Sequence, residues 1–325
     1  MLRYTIKRLL MIIPIMLGIA LVVMIFIDLT PGDPARMVLG DHASEEDLAA
    51  FREEMGLDDP FIVRYVRFVG NVVRGDFGNS FATGRPVFDE MMQRFPFTLL
   101  LVTLSMLLSI MIGIPIGIYA AVNQYSWKDN ASIFASLFCV SMPSFWFALI
   151  LVQLFSVRLG LLPAAGIMTW QGWILPVISL ALGFSAVIAR QMRSNMLEVI
   201  RQDYITTARA KGQTERKVLY RHALKNALIP VIMIVGAIFG LSLGGMLIAE
   251  VIFSIPGLGT YTLAGLQGRD YAVIKGSVFI LSTLFAVIIL IIDLVFAIVD
   301  PRIRSQFAGK KALIRKKKIS EEGAQ

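Results

Sequence analysis

The sequence has little of what a soluble enzyme or a disulfide-stabilised secreted domain needs. Charged residues make up 17% of the 325 residues, whereas a soluble globular domain carries roughly 25%. Cys139 is the only cysteine, so no disulfide can form within the chain. Hydrophobic residues reach 56%, a composition typical of a membrane protein.

Residues for catalysis or metal binding are also scarce. His42 and His222 are the only histidines and lie far apart, so no zinc site or histidine-based triad is predicted. The single Gly-Lys pair, Gly309-Lys310, lacks the upstream glycine of a phosphate-binding P-loop. We therefore expect no enzyme and no bound metal or cofactor, and any action driven by ATP must use a partner protein.

Long runs without charge predict an all-α integral membrane protein with six transmembrane helices, because about 20 apolar residues span the hydrocarbon core. The runs cover residues 9–27, 95–127, 130–157, 159–189, 226–249 and 276–292. The first run has 19 residues and no A-x-A site follows it, so a retained anchor is favoured over a cleavable signal peptide.

The distribution of charge predicts the orientation. Residues 190–225 carry 9 basic and 3 acidic residues, and residues 300–325 carry 8 basic and 3 acidic ones, whereas residues 28–94 carry 13 acidic and 7 basic ones. Basic loops remain in the cytoplasm, so both termini and the 190–225 loop are predicted inside. The net charge of +8 is then a matter of topology and not of nucleic-acid binding.

Residues 28–97 are predicted to form a helical insertion outside the membrane. Ser44 is placed to cap a helix and Gly56 to end it. A second helical pattern runs from residue 61 to 72. Residues 75–86, GDFGNSFATGRP, predict a loop before the second spanning helix.

Proline and glycine within the spans suggest special packing. Pro115 and Pro143 can either kink their helices or produce gentle curvature. Gly236, Gly240 and Gly244 recur every four residues and let another helix approach closely. That helix can belong to this chain or to a second subunit, or the glycines can form a flexible pore wall.

Glu250 and Asp293 are the ionisable residues singled out within or beside the spans. Such residues are costly in a membrane and are functional candidates for that reason. We expect Glu250 near the outer end of the fifth span, where water can reach it. For both residues a structural hydrogen bond and a role in a pore or gate remain alternatives.

Between the fourth and fifth spans, residues 203–230 read DYITTARAKGQTERKVLYRHALKNALIP. Apolar residues at helical spacing predict a first helix over residues 192–208, Gly212 interrupts it, and Thr214 is placed to cap a second helix. The pattern predicts helix, break, helix. A cytosolic docking element and a passive basic connector are both compatible with it.

This segment resembles the EAA loop of binding-protein-dependent ABC importer permeases, in particular the B-type permease of the dipeptide, oligopeptide and nickel branch. Thr206, Thr207 and Ala208 stand in the EAA positions, followed by Arg209, and Gly212 is the glycine, although Thr206 replaces a glutamate. Further matching stretches are PGDPARMVLG (31–40), GDFGNS (75–80), LGLLP (159–163), AEVIFSIPGLG (249–259), RDYAVIKG (269–276) and DPRIR (300–304).

The resemblance implies a type I importer in the bacterial or archaeal inner membrane. A second, homologous permease would complete the pore, two cytosolic ABC ATPases would use ATP and Mg and bind the loop as a coupling helix, and an extracytoplasmic solute-binding protein would deliver the solute. The regions are then residues 1–27 (N-terminus and first span), 28–97 (outer insertion), 98–305 (five-helix permease core) and 306–325 (basic tail).

Two rival functions lack support from the residues. A self-sufficient secondary transporter or channel would need no ATPase and would often carry inverted repeats, which the sequence does not display. A membrane enzyme would need a nucleophile, base or metal cluster, and none can be assembled from this sequence.

Overall fold

The structure is a computed structural model that describes residues 2–29, 33–40 and 42–299. The DPRIR stretch at 300–304 and the basic tail at 306–325 lie outside the described residues. Within the described part, five helices are long and apolar enough to cross a membrane: Arg8–Leu29, Val87–Val122, Trp170–Ile200, Glu215–Leu243 and Tyr271–Leu294. A bent pair, Trp127–Ser141 and Ser144–Arg158, supplies a sixth crossing if it counts as one span.

The insertion after α1 (Leu2–Leu29) is helical, as the sequence predicts. It contains α2 (Pro34–Leu39), α3 (Glu45–Met55) and α4 (Phe61–Val73). Ser44 caps α3, since its hydroxyl accepts a hydrogen bond from the Asp47 amide at 3.1 Å. Gly56 ends the helix with a left-handed φ of 61°.

Helix α4 lies against α1 and so ties the insertion to the first span. Phe68 packs with Ala20 and Met24 of α1. The Tyr65 hydroxyl donates to the Leu17 carbonyl at 3.0 Å. The insertion is thus packed onto the membrane-spanning part.

The two prolines in the second and third spans behave differently. Helix α5 (Val87–Val122) continues through Pro115. In the third span, α6 (Trp127–Ser141) stops and α7 (Ser144–Leu151) starts after Pro143, and the two helices differ in direction by 97°. Gentle curvature is therefore wrong for Pro143, which lacks an amide hydrogen and ends the helix.

The remaining helices follow in order. Helix α7 continues as a π-helical turn, Val152–Arg158, and after a loop come α8 (Ile174–Ile200), α9 (Asp203–Ala210) and α10 (Glu215–Lys217). A second π-helical turn, Val218–Ala223, leads into α11 (Leu224–Gly245). Then follow α12 (Leu247–Ile252), α13 (Leu258–Gln267) and α14 (Tyr271–Val299).

Helices α5 and α8 approach so closely that only glycine fits at two positions of α5. A Cβ atom at Gly113 would lie 2.7 Å from the Ser185 carbonyl oxygen, and one at Gly117 would lie 2.5 Å from the Ala189 carbonyl oxygen. Ile188 and Met192 of α8 fill the contact and are fully buried. Backbone contact of this kind is how membrane helices gain packing energy without a hydrophobic driving force.

We predict that Gly117→Leu lowers the thermal unfolding midpoint in detergent, because overpacking a tight contact costs about 1–3 kcal/mol. Gly183→Leu is the matched control, since no atom lies within 4 Å of a Cβ at that α8 position. Equal unfolding midpoints for the two variants would contradict the close packing of α5 on α8.

Candidate coupling segment and buried polar sites

The candidate coupling segment, residues 201–217, contains the break predicted at Gly212, but residues 192–208 form two helices and not one, since α8 ends at Ile200 and α9 begins at Asp203. Helix α9 is separated from α10 by a turn at Gly212, whose φ is +72°. This backbone conformation is left-handed and favours glycine. Thr214 occupies the position before α10, but its side chain makes no capping hydrogen bond.

Helix α9 has one face packed on its own chain and one face exposed. Ile205 and Ala208 are buried in a cluster with Met196 of α8 and Val218 of the π-helical turn. Thr206, Thr207 and Arg209 are exposed. Of the predicted coupling residues, Ala208 therefore positions the helix, whereas the threonines and the arginine face outwards.

Polar contacts hold the turn in place. The Arg209 guanidinium pairs with Glu215 across Gly212, with an Nη2 to Oε1 distance of 2.6 Å. This hydrogen bond raises the pKa of Arg209, so the side chain stays charged. The Asn226 side chain donates to the Tyr204 hydroxyl at 2.8 Å, which connects α9 to α11.

Glu250 is buried and not reached by water, which corrects the expectation from the sequence. Its exposed fraction is 0%. The Thr98 hydroxyl of α5 donates to Oε1 at 2.5 Å, and the Thr260 amide donates to Oε2 at 2.9 Å. The chain after α12 turns back over the carboxyl group, an arrangement that helical spacing does not reveal.

The surroundings of Glu250 join three elements. The Thr98 hydroxyl also accepts a hydrogen bond from the Leu258 amide at 2.9 Å, at the start of α13. A Cβ at Gly257 would collide with the carboxyl group. Burial raises the pKa of the Glu250 carboxyl above its ordinary value. This polar site connects α5, α12 and α13.

Two of the three glycines of the α11 stripe pack within this chain. A Cβ at Gly236 would lie 2.7 Å from the Ile292 side chain, and one at Gly240 would lie 3.3 Å from Phe285. Both contacts are with α14. The contacts of Gly244 lie outside the described residues.

Asp293 of α14 pairs with Arg8 of α1, with 2.6 Å between Oδ2 and Nη1. The pair joins the beginning of the first span to the last part of the sixth. It gives the intramembrane carboxylate a structural partner.

Two polar contacts between distant elements were not predicted. Asp129, at the start of α6, accepts hydrogen bonds from Arg193 of α8 at 2.6 and 2.7 Å and is buried. Asp270 accepts from the Ser80 hydroxyl at 2.7 Å, which attaches the 75–86 loop to the beginning of α14. The signal available in the sequence was the position of Asp129 and Arg193 at the ends of apolar runs.

These features define a multi-pass helical membrane protein in which the short helices α9 and α10 connect the fourth span to the fifth. In the described ranges no group of three or more His, Cys, Asp or Glu residues could hold a metal ion. The structure thus brings the coupling residues together in α9 and the turn after it, whereas Glu250, Asp293 and the glycine stripe belong to α12, α14 and α11.

Comparison with known families and proteins identifies the relatives of this chain. The family model "Binding-protein-dependent transport system inner membrane component" matches residues 113–305, and the corresponding N-terminal model matches residues 1–102. The glutathione transport system permease protein GsiC of Salmonella paratyphi A is 41% identical over 304 residues, which is 94% of this chain and 99% of that protein. GsiC of Escherichia coli strain K12 is 40% identical with the same coverage.

A solved structure agrees on the fold. The inward facing MetNI methionine ABC transporter matches with a TM-score of 0.55 over 65% of this chain and 96% of that chain, at 20% identity. The chain belongs to the family of binding-protein-dependent transport system inner membrane components. It is a permease subunit of an ABC importer, in the peptide branch, and as a pore component it is not itself an enzyme.

We predict that Glu250→Gln and Glu250→Ala distinguish the effect of the Glu250 charge on stability from the effect of its hydrogen bonds. Because burial raises the pKa, the folded state holds the proton better than the unfolded state, and stability is lost as the pH rises above the ordinary value of 4.5. The unfolding midpoint of the unmodified protein should therefore fall relative to Glu250→Gln as the pH rises.

Glu250→Ala removes both acceptor oxygens and leaves the Thr98 hydroxyl and the Thr260 amide without this partner. It should be less stable than Glu250→Gln at every pH, since an unsatisfied buried group costs about 1–3 kcal/mol. Thermal unfolding in detergent across a pH series checks both variants. Parallel pH curves for the unmodified protein and Glu250→Gln would contradict the effect of burial.

Proposed function

We propose that this chain forms half of the translocation pore of an ATP-driven importer for peptides or similar small solutes. A second, homologous permease forms the other half. The names of the relatives support this class of solute, because glutathione is a small peptide-like molecule. The particular solute is set largely by the solute-binding protein.

The proposed orientation places both termini and the coupling segment in the cytoplasm and the insertion of residues 28–97 outside. The basic charge of residues 190–225 supports it. The pair between Arg8 and Asp293 is consistent with this orientation, because it places the beginning of α1 beside the last part of α14. Six crossings return the chain to the side where it began. The membrane is the bacterial or archaeal inner membrane.

The observation that supports the proposal is the packing of α9, which has one buried face and one exposed face. Its inner residues Ile205 and Ala208 are packed against α8 and the π-helical turn, while Thr206 and Thr207 face outwards. Two cytosolic ABC ATPases, which use ATP and Mg, would bind this exposed face. A movement of α9 would pass directly into α8 and α11, and the extracytoplasmic binding protein would meet the insertion.

The remaining candidate residues act on the pore through packing. Gly236 and Gly240 allow α11 and α14 to approach closely, Gly244 continues the stripe, Glu250 joins α5 to α12 and α13, and Asp293 holds α1 to α14. We propose that they set how these helices move as the pore changes its opening. A self-sufficient secondary transporter is not favoured, since the relatives are permeases of importers.

We predict that Gly212→Pro abolishes solute-stimulated ATP hydrolysis by the assembled importer in nanodiscs. Proline requires a φ near −65°, whereas Gly212 has a φ of +72°. Gly212→Asn should retain stimulation because asparagine tolerates the left-handed region. Gly160→Pro is the control for strain elsewhere, since Gly160 has a φ of +62° in a different loop. Unchanged stimulation in Gly212→Pro would refute the coupling role.

The two faces of α9 should respond differently to a large side chain. Thr206→Trp places bulk on the exposed face, so ATPase subunits should copurify less while the unfolding midpoint of the permease is unchanged. Ala208→Trp overpacks the buried face, which should reduce the free energy of unfolding by about 1–3 kcal/mol. It should therefore lower the unfolding midpoint as well as ATPase binding. Copurification and thermal unfolding measure the two effects, and normal ATPase binding by Thr206→Trp would contradict the docking face.

A further inference from the structure

A large polar cavity lies between the insertion and the beginning of α14. Its volume is about 840 Å³, and it is lined by residues of α1, α3, α4, the 75–86 loop and α14. This volume is in the range of about 300–1,000 Å³ that small-molecule sites occupy. The cavity is separate from the coupling segment and from Glu250.

The charges in this cavity are balanced but not fully paired. Four carboxylates and four cationic side chains line it. Arg64 pairs with Asp28, with 2.9 Å between Nη1 and Oδ1, and Arg52 pairs with Asp33. The third arginine, Arg67, pairs at 2.6 Å with Asp59, which is not part of the lining. The lining carboxylate Asp58 forms no ion pair in the described ranges.

Lys275 is the remaining cation, and it forms no ion pair with any residue in the described ranges. Its ammonium lies 5.7 Å from the centre of the Phe68 ring. A cation–π contact compensates a buried charge only in part. A lysine within an apolar helix is costly and points to an anionic partner.

A second carboxylate without an ion pair, Asp76, lies on the loop that covers this part of α14. A Cβ placed at Gly276, next to Lys275, would lie 3.3 Å from Cβ of Phe77, and one at Gly78 would lie 3.7 Å from Ala272. Asp76 precedes these loop residues and lines the cavity. It accepts a hydrogen bond from the Gly78 amide at 2.8 Å but forms no ion pair within the described part of the chain.

We propose that this cavity binds a small zwitterionic solute, with its carboxylate on Lys275 and its ammonium group on Asp76. The overall neutrality of the lining suits a ligand with one charge of each sign. A phosphate dianion would meet four carboxylates and only one uncompensated cation, so it is disfavoured. The lining contains no residue of the coupling segment and not Glu250, so we expect its occupation to need no ATP.

The full-length chain in phosphatidylcholine nanodiscs provides the test, without ATPases or binding protein. Dialanine is the probe, and it is compared with dialanine amide, which lacks the carboxylate, and with N-acetyl-dialanine, which lacks the ammonium group. Isothermal titration should detect dialanine and find each capped form about tenfold weaker or more, because hydrogen bonds to charged groups are the strong ones. Inorganic phosphate should not compete.

Variants locate the binding. Lys275→Gln should weaken dialanine about tenfold or more and should no longer distinguish it from its amide, whereas Lys275→Arg should retain the distinction. Lys128→Gln is the matched control, since Lys128 also lies over an aromatic ring, that of Tyr119 at 5.4 Å, but does not line the cavity. If Lys275→Gln does not fold, the comparison of capped and uncapped dialanine on the unmodified protein still decides.

Three results would overturn the proposal. These are no binding of dialanine, equal affinity for dialanine and its amide, or equal losses in Lys275→Gln and Lys128→Gln. A fourth result would assign the cavity to a lipid instead. In that case dialanine binding is lost in phosphatidylethanolamine nanodiscs, because the headgroup phosphate of that lipid competes for the cavity. Because no ATPase is present, failure of the importer assays leaves this test unaffected.

Discussion

The close contact between α5 and α8 is the constraint on which the rest of the structure depends. Gly113 and Gly117 bring the backbones of two long helices together, and Ile188 and Met192 fill the space beside them. In lipid, association of helices depends on such packing, because the surrounding chains are as apolar as the side chains. Larger residues at the glycine positions would separate the helices along their length.

One end of this contact leads to the coupling segment, and the other leads to the buried carboxyl group of Glu250. Helix α8 runs on to Ile200 and is followed after a short turn by α9, which packs back against it. Helix α5 carries Thr98, which donates to Glu250 and accepts from the start of α13. The contacts of α9 with α8 and of α8 with α5 therefore form a continuous packed connection from α9 to the region of Glu250.

Charged groups in the spanning part are held by partners from other helices. Asp129 is paired with Arg193 across α6 and α8, and Asp293 with Arg8 across α14 and α1. Removing one member of such a pair leaves a charge in an apolar environment, which costs more than the pair contributes. Each pair thus fixes which helices are neighbours, and Lys275 differs from these residues because it forms no ion pair within the described ranges.

The sequence by itself determined the helical membrane class, the helical insertion and the break at Gly212, because these follow from local properties: length without charge, helical spacing, and glycine at a left-handed turn. Ser44 and Gly56 bound α3 for the same reason. Only the tertiary structure decided that Glu250 is buried, that Pro143 turns its helix by 97°, and that Ala208 faces its own chain. These outcomes depend on residues far away in the sequence that pack against each position, and one-dimensional spacing carries no information about those neighbours.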